Sequence, residues 1–177
     1  VTEDTGKDSH AERPDRFARR RRTGVRLTER DLAVVRAVFD ARYLAGRQIG
    51  RLLFGRTESS HARSRLRVLF DLDYLRKRAA GPNDPAIYYL GLQGRRTIAA
   101  LGSYEQVIVD QVAGVSGEGV PAPALMMAHE LTLSDLYVDS RIECQTYGWE
   151  LAWKNARMLE LEALGLNPDT WLCVSHG

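Results

Sequence analysis

The sequence predicts an α+β fold, and three observations lead there. Apolar residues recur at helical spacing from Leu32 to Phe70, short β-like runs then flank a Gly/Pro turn, and helical and β-like segments alternate thereafter. The 177 residues suffice for one or two compact domains. The charge is divided: residues 1–102 carry 22 Lys and Arg against 12 Asp and Glu, a balance of +10, whereas residues 103–177 carry 3 against 11, a balance of −8. An overall charge of +2 therefore hides one basic half and one acidic half. That asymmetry is the footprint expected of a nucleic-acid-binding module joined to a part that does not touch nucleic acid. Two ordinary domains with differently charged solvated faces would show the same counts.

A hydrophobic fraction of 44% with 27% charged residues excludes a disordered chain. No run of about 18 apolar residues exists and no secretory stretch follows the first residues, so no membrane is expected and the expected location is cytoplasmic, on nucleoid or plasmid DNA. Cys144 and Cys173 have no close CxxC spacing and read as buried, reduced thiols. Of 25 basic residues 22 are arginine, the exceptions being Lys7, Lys77 and Lys154. Guanidinium groups pair bidentately with phosphates and guanine edges, but a GC-rich coding sequence gives the same bias, so placement decides.

Taken in order, residues 1–26 hold few apolar side chains and the run Arg19, Arg20, Arg21 and Arg22. This composition reads as a flexible arginine-rich arm, suited to a phosphate backbone or a minor groove, or to keeping the protein in solution. Thr28 ahead of Glu29 and Asp31 is a helix start, and Leu32, Val35, Val38 and Phe39 carry the helix to about Tyr43. Gly46 interrupts it. Ile49, Leu52 and Leu53 mark a second, short helix that Gly55 ends. A third begins near Thr57 or Glu58 and runs to about Leu72. With Ala62 at zero and 100° per residue, Leu66, Leu69 and Phe70 share the core face. Ser60, Arg63, Ser64 and Arg67 fall opposite, with His61 at the edge.

Leu75 leads into Arg76, Lys77 and Arg78, a turn follows through Gly81 to Pro85, and Ile87 to Leu90 form a second β-like run. Three close helices followed by a basic hairpin read as a winged helix-turn-helix over residues 27–102, the third helix being the recognition helix. A further helix from about Gly94 to Leu101 should pack back on the first. Residues 103–124, glycine- and proline-rich at their end, read as a linker despite a helical stretch through Val107 and Val112. Residues 125–177 then form an acidic α/β unit: a helix to about Tyr147, a strand from Trp149 to Trp153, a helix from Asn155 to Leu164 and a last strand from Thr170 to Val174.

No P-loop, GxSxG, HExxH or dinucleotide fingerprint occurs. His129, Glu130, Asp135 and Asp139 lie close together on the acidic helix, as metal ligands or, more simply, as a solvated face. The segments LTERDLAVVRAVFDARYLAGRQIGRLLF from Leu27, ARSRLRVLFDLDYL, YYLGLQGRR and AHELTLSDLYV together resemble the replication-relaxation family of bacterial plasmid and mobile-element proteins. The resemblance covers about four fifths of the chain. It implies a DNA-binding winged helix followed by a smaller domain like a truncated nuclease core of the PD-(D/E)xK kind. Glu130 would match the helix acid, and Pro168 with Asp169 the PD pair. The strand that should supply the second acid and the lysine has no counterpart, so no complete metal site, no metal and no catalytic residue is expected.

The expected function is sequence-specific double-stranded DNA binding by a transcription or replication regulator of a plasmid, phage or mobile element. Ser60, Arg63, Ser64 and Arg67 would meet bases or phosphates, Arg76, Lys77 and Arg78 would be wing contacts, and Arg19 to Arg22 would follow the backbone. No cofactor is expected. The acidic half would form a homodimer or dock a replication or mobilisation protein, because Leu133, Leu136, Tyr137, Trp149 and Trp153 must be core or interface and an incomplete sheet leaves an open edge. The alternatives are a DNA-nicking or relaxing nuclease completed by a partner, and a winged-helix adaptor that binds protein through Tyr88 and Tyr89.

Overall fold

Thr28 opens the first helix with a reciprocal cap: its hydroxyl accepts the Asp31 amide at 3.2 Å while the Asp31 carboxylate accepts the Thr28 amide at 2.7 Å. Two orphan donors are thereby satisfied, and α1 (Glu29–Ala41) runs from there to Arg42, whose φ of 64° breaks it. In the computed structural model, residues 17–55, 59–79, 84–102, 104–113, 124–161 and 170–176 are described. A two-residue strand, β1 (Leu44–Ala45), precedes α2 (Gly46–Phe54), which Gly55 ends at a φ of 66°. Ser59 caps α3 (Ser60–Asp71) through its hydroxyl, so α3 begins two or three residues later than the sequence suggests.

The chain then forms β2 (Leu75–Arg78) and β3 (Ile87–Leu90), and β1 pairs antiparallel with the far edge of β3 to give the order β1-β3-β2. Leu44 and Lys77 both face Tyr88 in this register. The next helix, α4 (Leu92–Ala100), approaches the α3–β2 corner so closely that a Cβ on Gly94 would lie 2.2 Å from the Tyr74 carbonyl oxygen. Only glycine fits there. Four more elements follow α5 (Gln106–Val112): α6 (Ala124–Tyr147), β4 (Trp149–Asn155), α7 (Ala156–Leu161) and β5 (Thr170–His176). β4 and β5 form a separate antiparallel pair with Ala152 opposite Cys173. Among the described residues the molecule is thus α+β, with seven helices and two small antiparallel sheets.

One hydrophobic core joins both parts. Val34, Val35 and Phe39 of α1, Ile49, Leu66, Leu69 and Ile98 belong to the same buried cluster as Val109 and Val112 of α5, Tyr137 and Val138 of α6 and Met158 of α7. The expected parts, residues 27–102, a linker at 103–124 and an acidic dimerisation or partner domain at 125–177, all have described residues in this core. Residues 106–112 are a packed helix whose Val109 and Val112 are fully buried, and α6 and α7 contribute Tyr137, Val138 and Met158 to the same core. Buried polar groups stitch the same seam. Asn155 donates to the Asp40 carbonyl at 2.9 Å, at the unsatisfied end of α1, while its oxygen accepts the Met158 amide at 3.1 Å and starts α7.

The expectation of two buried thiols is half corrected: Cys144 is buried but Cys173 is exposed on β5. The described part of the expected flexible arm, residues 17–26, is tied to the end of α3 and the turn after it, through Arg19, Arg20 and Arg22. Residues 1–16 of that arm lie outside the described residues, as do the turn residues 80–83. Among the described residues, no helix is long and apolar enough to cross a membrane.

Candidate nucleic-acid interface

Residues 60, 63, 64, 67 and 71 repeat every three or four positions and therefore form one stripe along α3. Its first half, Ser60, Arg63 and Ser64, is exposed. Its second half is engaged: Arg67 lies 3.0 Å from the Asp71 carboxylate, donates to the Ala18 carbonyl and sits 5.3 Å over the Phe70 ring. The opposite face of α3 carries Leu66 and Leu69 into the core, and Arg65 bonds the Asp31 carboxylate at 3.0 Å. That pair fixes α3 against the first turn of α1. His61 stands edge-on to Phe54 at 5.8 Å.

The hairpin residues gather beside the end of that stripe. Lys77 lies 4.6 Å from the centre of the Phe70 ring and 5.2 Å from that of Phe17, Arg76 pairs with Asp73 at 3.3 Å, and Arg78 is half-buried at the end of β2. Of the arginine run, Arg19 reaches Asp73 and Arg22 reaches Asp71 at 2.7 Å, whereas Arg20 and Arg21 are exposed. The arm, the α3 stripe and β2 thus form one continuous basic surface. Its organisers, Asp71 and Asp73, escaped the sequence reading. The available signal was Asp71 at i+4 from Arg67 inside an otherwise basic stretch.

Asp71 is buried, and burial alone would raise its pKa; the bonds from Arg22 and the Arg20 amide, with the charges of Arg67 and Arg22, outweigh burial and hold it below the ordinary carboxylate range. Asp31 behaves likewise, burial being overcome by Arg65 and Thr28. Both therefore carry full charge at neutral pH. Tyr88 and Tyr89, the suggested protein-binding pair, are half-buried in the sheet; burial raises both hydroxyls, and Tyr89 packs 6.3 Å from Tyr43.

The acidic helix face has partners in the basic half. Glu130 pairs with Arg42 at 2.6 Å, Asp135 accepts from the buried Gln48 amide at 2.7 Å and lies 3.8 Å from Arg47, and Asp139 pairs with Arg51 at 2.5 Å. Part of the charge division along the sequence is therefore an internal match between α2 and α6. Among the described residues no three His, Cys, Asp or Glu side chains gather as metal ligands would. Glu130, expected to match a nuclease acid, is committed to Arg42; Pro168 and Asp169 lie outside the described residues.

Fold and surface together define an α+β protein with a basic face built from a helix, a hairpin and an N-terminal strap. Compared with protein-family models, curated proteins and solved structures, the chain matches none.

Proposed function

We propose that this protein is a sequence-specific double-stranded DNA-binding regulator of winged helix-turn-helix type, acting on transcription or replication of a plasmid, phage or mobile element. The observation that carries the reading is the exposed stripe of Ser60, Arg63 and Ser64 on α3, flanked by cationic β2 and the arginine strap. The element order α1-β1-α2-α3-β2-β3, with β1 closing a three-stranded sheet, supports a winged arrangement. In it α3 enters a major groove, where Arg63 is suited to a guanine edge and the serines to smaller contacts. The resemblance of the sequence to replication-relaxation proteins supports the same reading, with action on DNA in the cytoplasm.

The test is binding to duplex DNA across a salt series. Affinity falls linearly in log salt, with a slope of about −0.9 per phosphate contacted. Arg63→Ala removes about 1–3 kcal/mol of discrimination at one base pair and leaves the salt slope nearly unchanged if it reads a base. Absence of binding by the intact chain at low salt would overturn the reading and favour the protein-binding adaptor. The reading assigns no catalysis; hydrolysis of plasmid DNA with magnesium or manganese, lost in Asp169→Ala, would replace it with the nuclease alternative.

The same proposal includes a homodimer. It is supported by β5, where Trp171, Leu172 and Val174 are each at least 40% exposed and which, among the described residues, pairs only with β4. An uncharged apolar strand edge invites a second strand. A sedimentation mass equal to the monomer at tens of micromolar would remove this part, leaving a replication or mobilisation protein as the partner of that edge.

A further inference from the structure

The four arginines of the N-terminal run do two different jobs. Arg19 and Arg22 are anchors: their guanidinium groups end on Asp73 and Asp71, and the Arg20 amide donates to the same Asp71 carboxylate at 3.1 Å. Arg20 and Arg21, between the anchors, are exposed. The segment is pinned a second time from the other side, since Arg67 donates to the Ala18 carbonyl and Lys77 lies over the Phe17 ring. Three cations, Arg19, Arg67 and Lys77, meet over the single Phe70 ring at 5.3, 5.3 and 4.6 Å.

Among the described residues, the run from Arg19 to Arg22 with Arg76 gathers beside the carboxylates of Asp71 and Asp73, and Arg20 and Arg21 stay exposed between the anchors. Groups converging on one ring lie within a Debye length of about 8–10 Å, so their repulsion is not screened away. Two adjacent exposed guanidinium groups on an anchored segment suit a row of closely spaced phosphates.

We infer that residues 17–22 form a strap clipped by Asp71 and Asp73, which present Arg20 and Arg21 to the DNA phosphates beside the footprint of α3. The inference rests on the DNA-binding reading and adds to it a division of labour. Asp71 is a positioning residue, and it makes an acid necessary for DNA affinity. Simple electrostatics requires the opposite, because removing a negative charge from a DNA-binding face should tighten binding.

The experiment measures duplex binding over a salt series for the intact chain, R20Q/R21Q, Asp71→Asn and Arg63→Ala. R20Q/R21Q should retain the wild-type melting temperature, lower the salt slope by about 1.8 and weaken binding about eightfold per lost contact at 0.1 M salt. Asp71→Asn should weaken binding despite its added positive charge, and hydrogen exchange should show loss of protection at the Arg20 amide. An unchanged slope in R20Q/R21Q, or unchanged or tighter binding by Asp71→Asn, overturns the strap while leaving α3 recognition intact if Arg63→Ala still loses discrimination. Should the intact chain not bind at all, the DNA reading itself fails, and an Arg20 amide still protected through Asp71 would show that the clip serves the fold alone.

Discussion

Gly94 shows how a single position can hold two elements together. Its Cα rests on the Tyr74 backbone, so Gly94→Ala drives a methyl group into a carbonyl oxygen at 2.2 Å and must push α4 away from the β2 corner. We expect a loss of about 3 kcal/mol, at the upper end for overpacking because backbone rather than side chain must move; denaturant unfolding reads it. Asp31 and Asp71 set the acid limit of the fold. Their pKa values are depressed in the folded state, so they contribute stability above the ordinary aspartate value of about 3.9, and that stability is lost as pH falls through the lower folded values. Asp40 works in the opposite sense: burial raises it, against Arg141, and its protonation favours the fold. Stability should therefore decline below about pH 5, and Asp71→Asn should flatten that decline. A profile with the same slope in the variant would show that Asp71 is not among the groups responsible.

Between elements, the decisive contact is the seam of α2 and the end of α1 against α6. Arg42 and Glu130 are each only 13% exposed, which separates this pair from Arg51 and Asp139 at the solvent edge. Glu130→Gln leaves a largely dehydrated guanidinium without its carboxylate, at about 2 kcal/mol, whereas Asp139→Asn changes stability by less than about 1 kcal/mol. A double-mutant cycle with Arg42 isolates the first pair, and a coupling near zero would show that Arg42 finds other acceptors. The individual helices were readable from pattern, because Thr28 with Asp31 for α1, the glycine at 55 for α2 and the stripe of Leu66, Leu69 and Phe70 for α3 are local signals. Their pairing was not. Charged side chains at 42, 47 and 51 look alike in sequence whether they face phosphates, water or an acidic helix, and only the approach of α6 shows which.

At the scale of the molecule, the shared core predicts one cooperative transition. Removing residues 114–177 takes Tyr137, Val138 and Met158 off the buried faces of α1 and its neighbours. The fragment 17–113 should accordingly lose at least several kcal/mol, with exposed apolar surface that binds a hydrophobic dye. A fragment as stable as the intact chain would restore the two-domain picture, and thermal denaturation followed by near- and far-ultraviolet circular dichroism distinguishes the two.

The sequence by itself determined the kinds of element and most of their limits, since caps, glycine stops and apolar periodicity act between residues a few positions apart. It also located the basic stripe on α3, because the face opposite Leu66 and Leu69 follows from helix geometry alone. Tertiary structure decided which charges remain available. Arg42, Arg47 and Arg51 went to the acidic helix, Arg19 and Arg22 to two aspartates some fifty residues away, and Arg20, Arg21 and Arg63 were left exposed. It also decided that residues 106–112 are core and that β1, two residues long, is a strand at all. These outcomes depend on partners far apart in the chain, and a charge or a short apolar run carries no mark of its partner until the chain has folded around it.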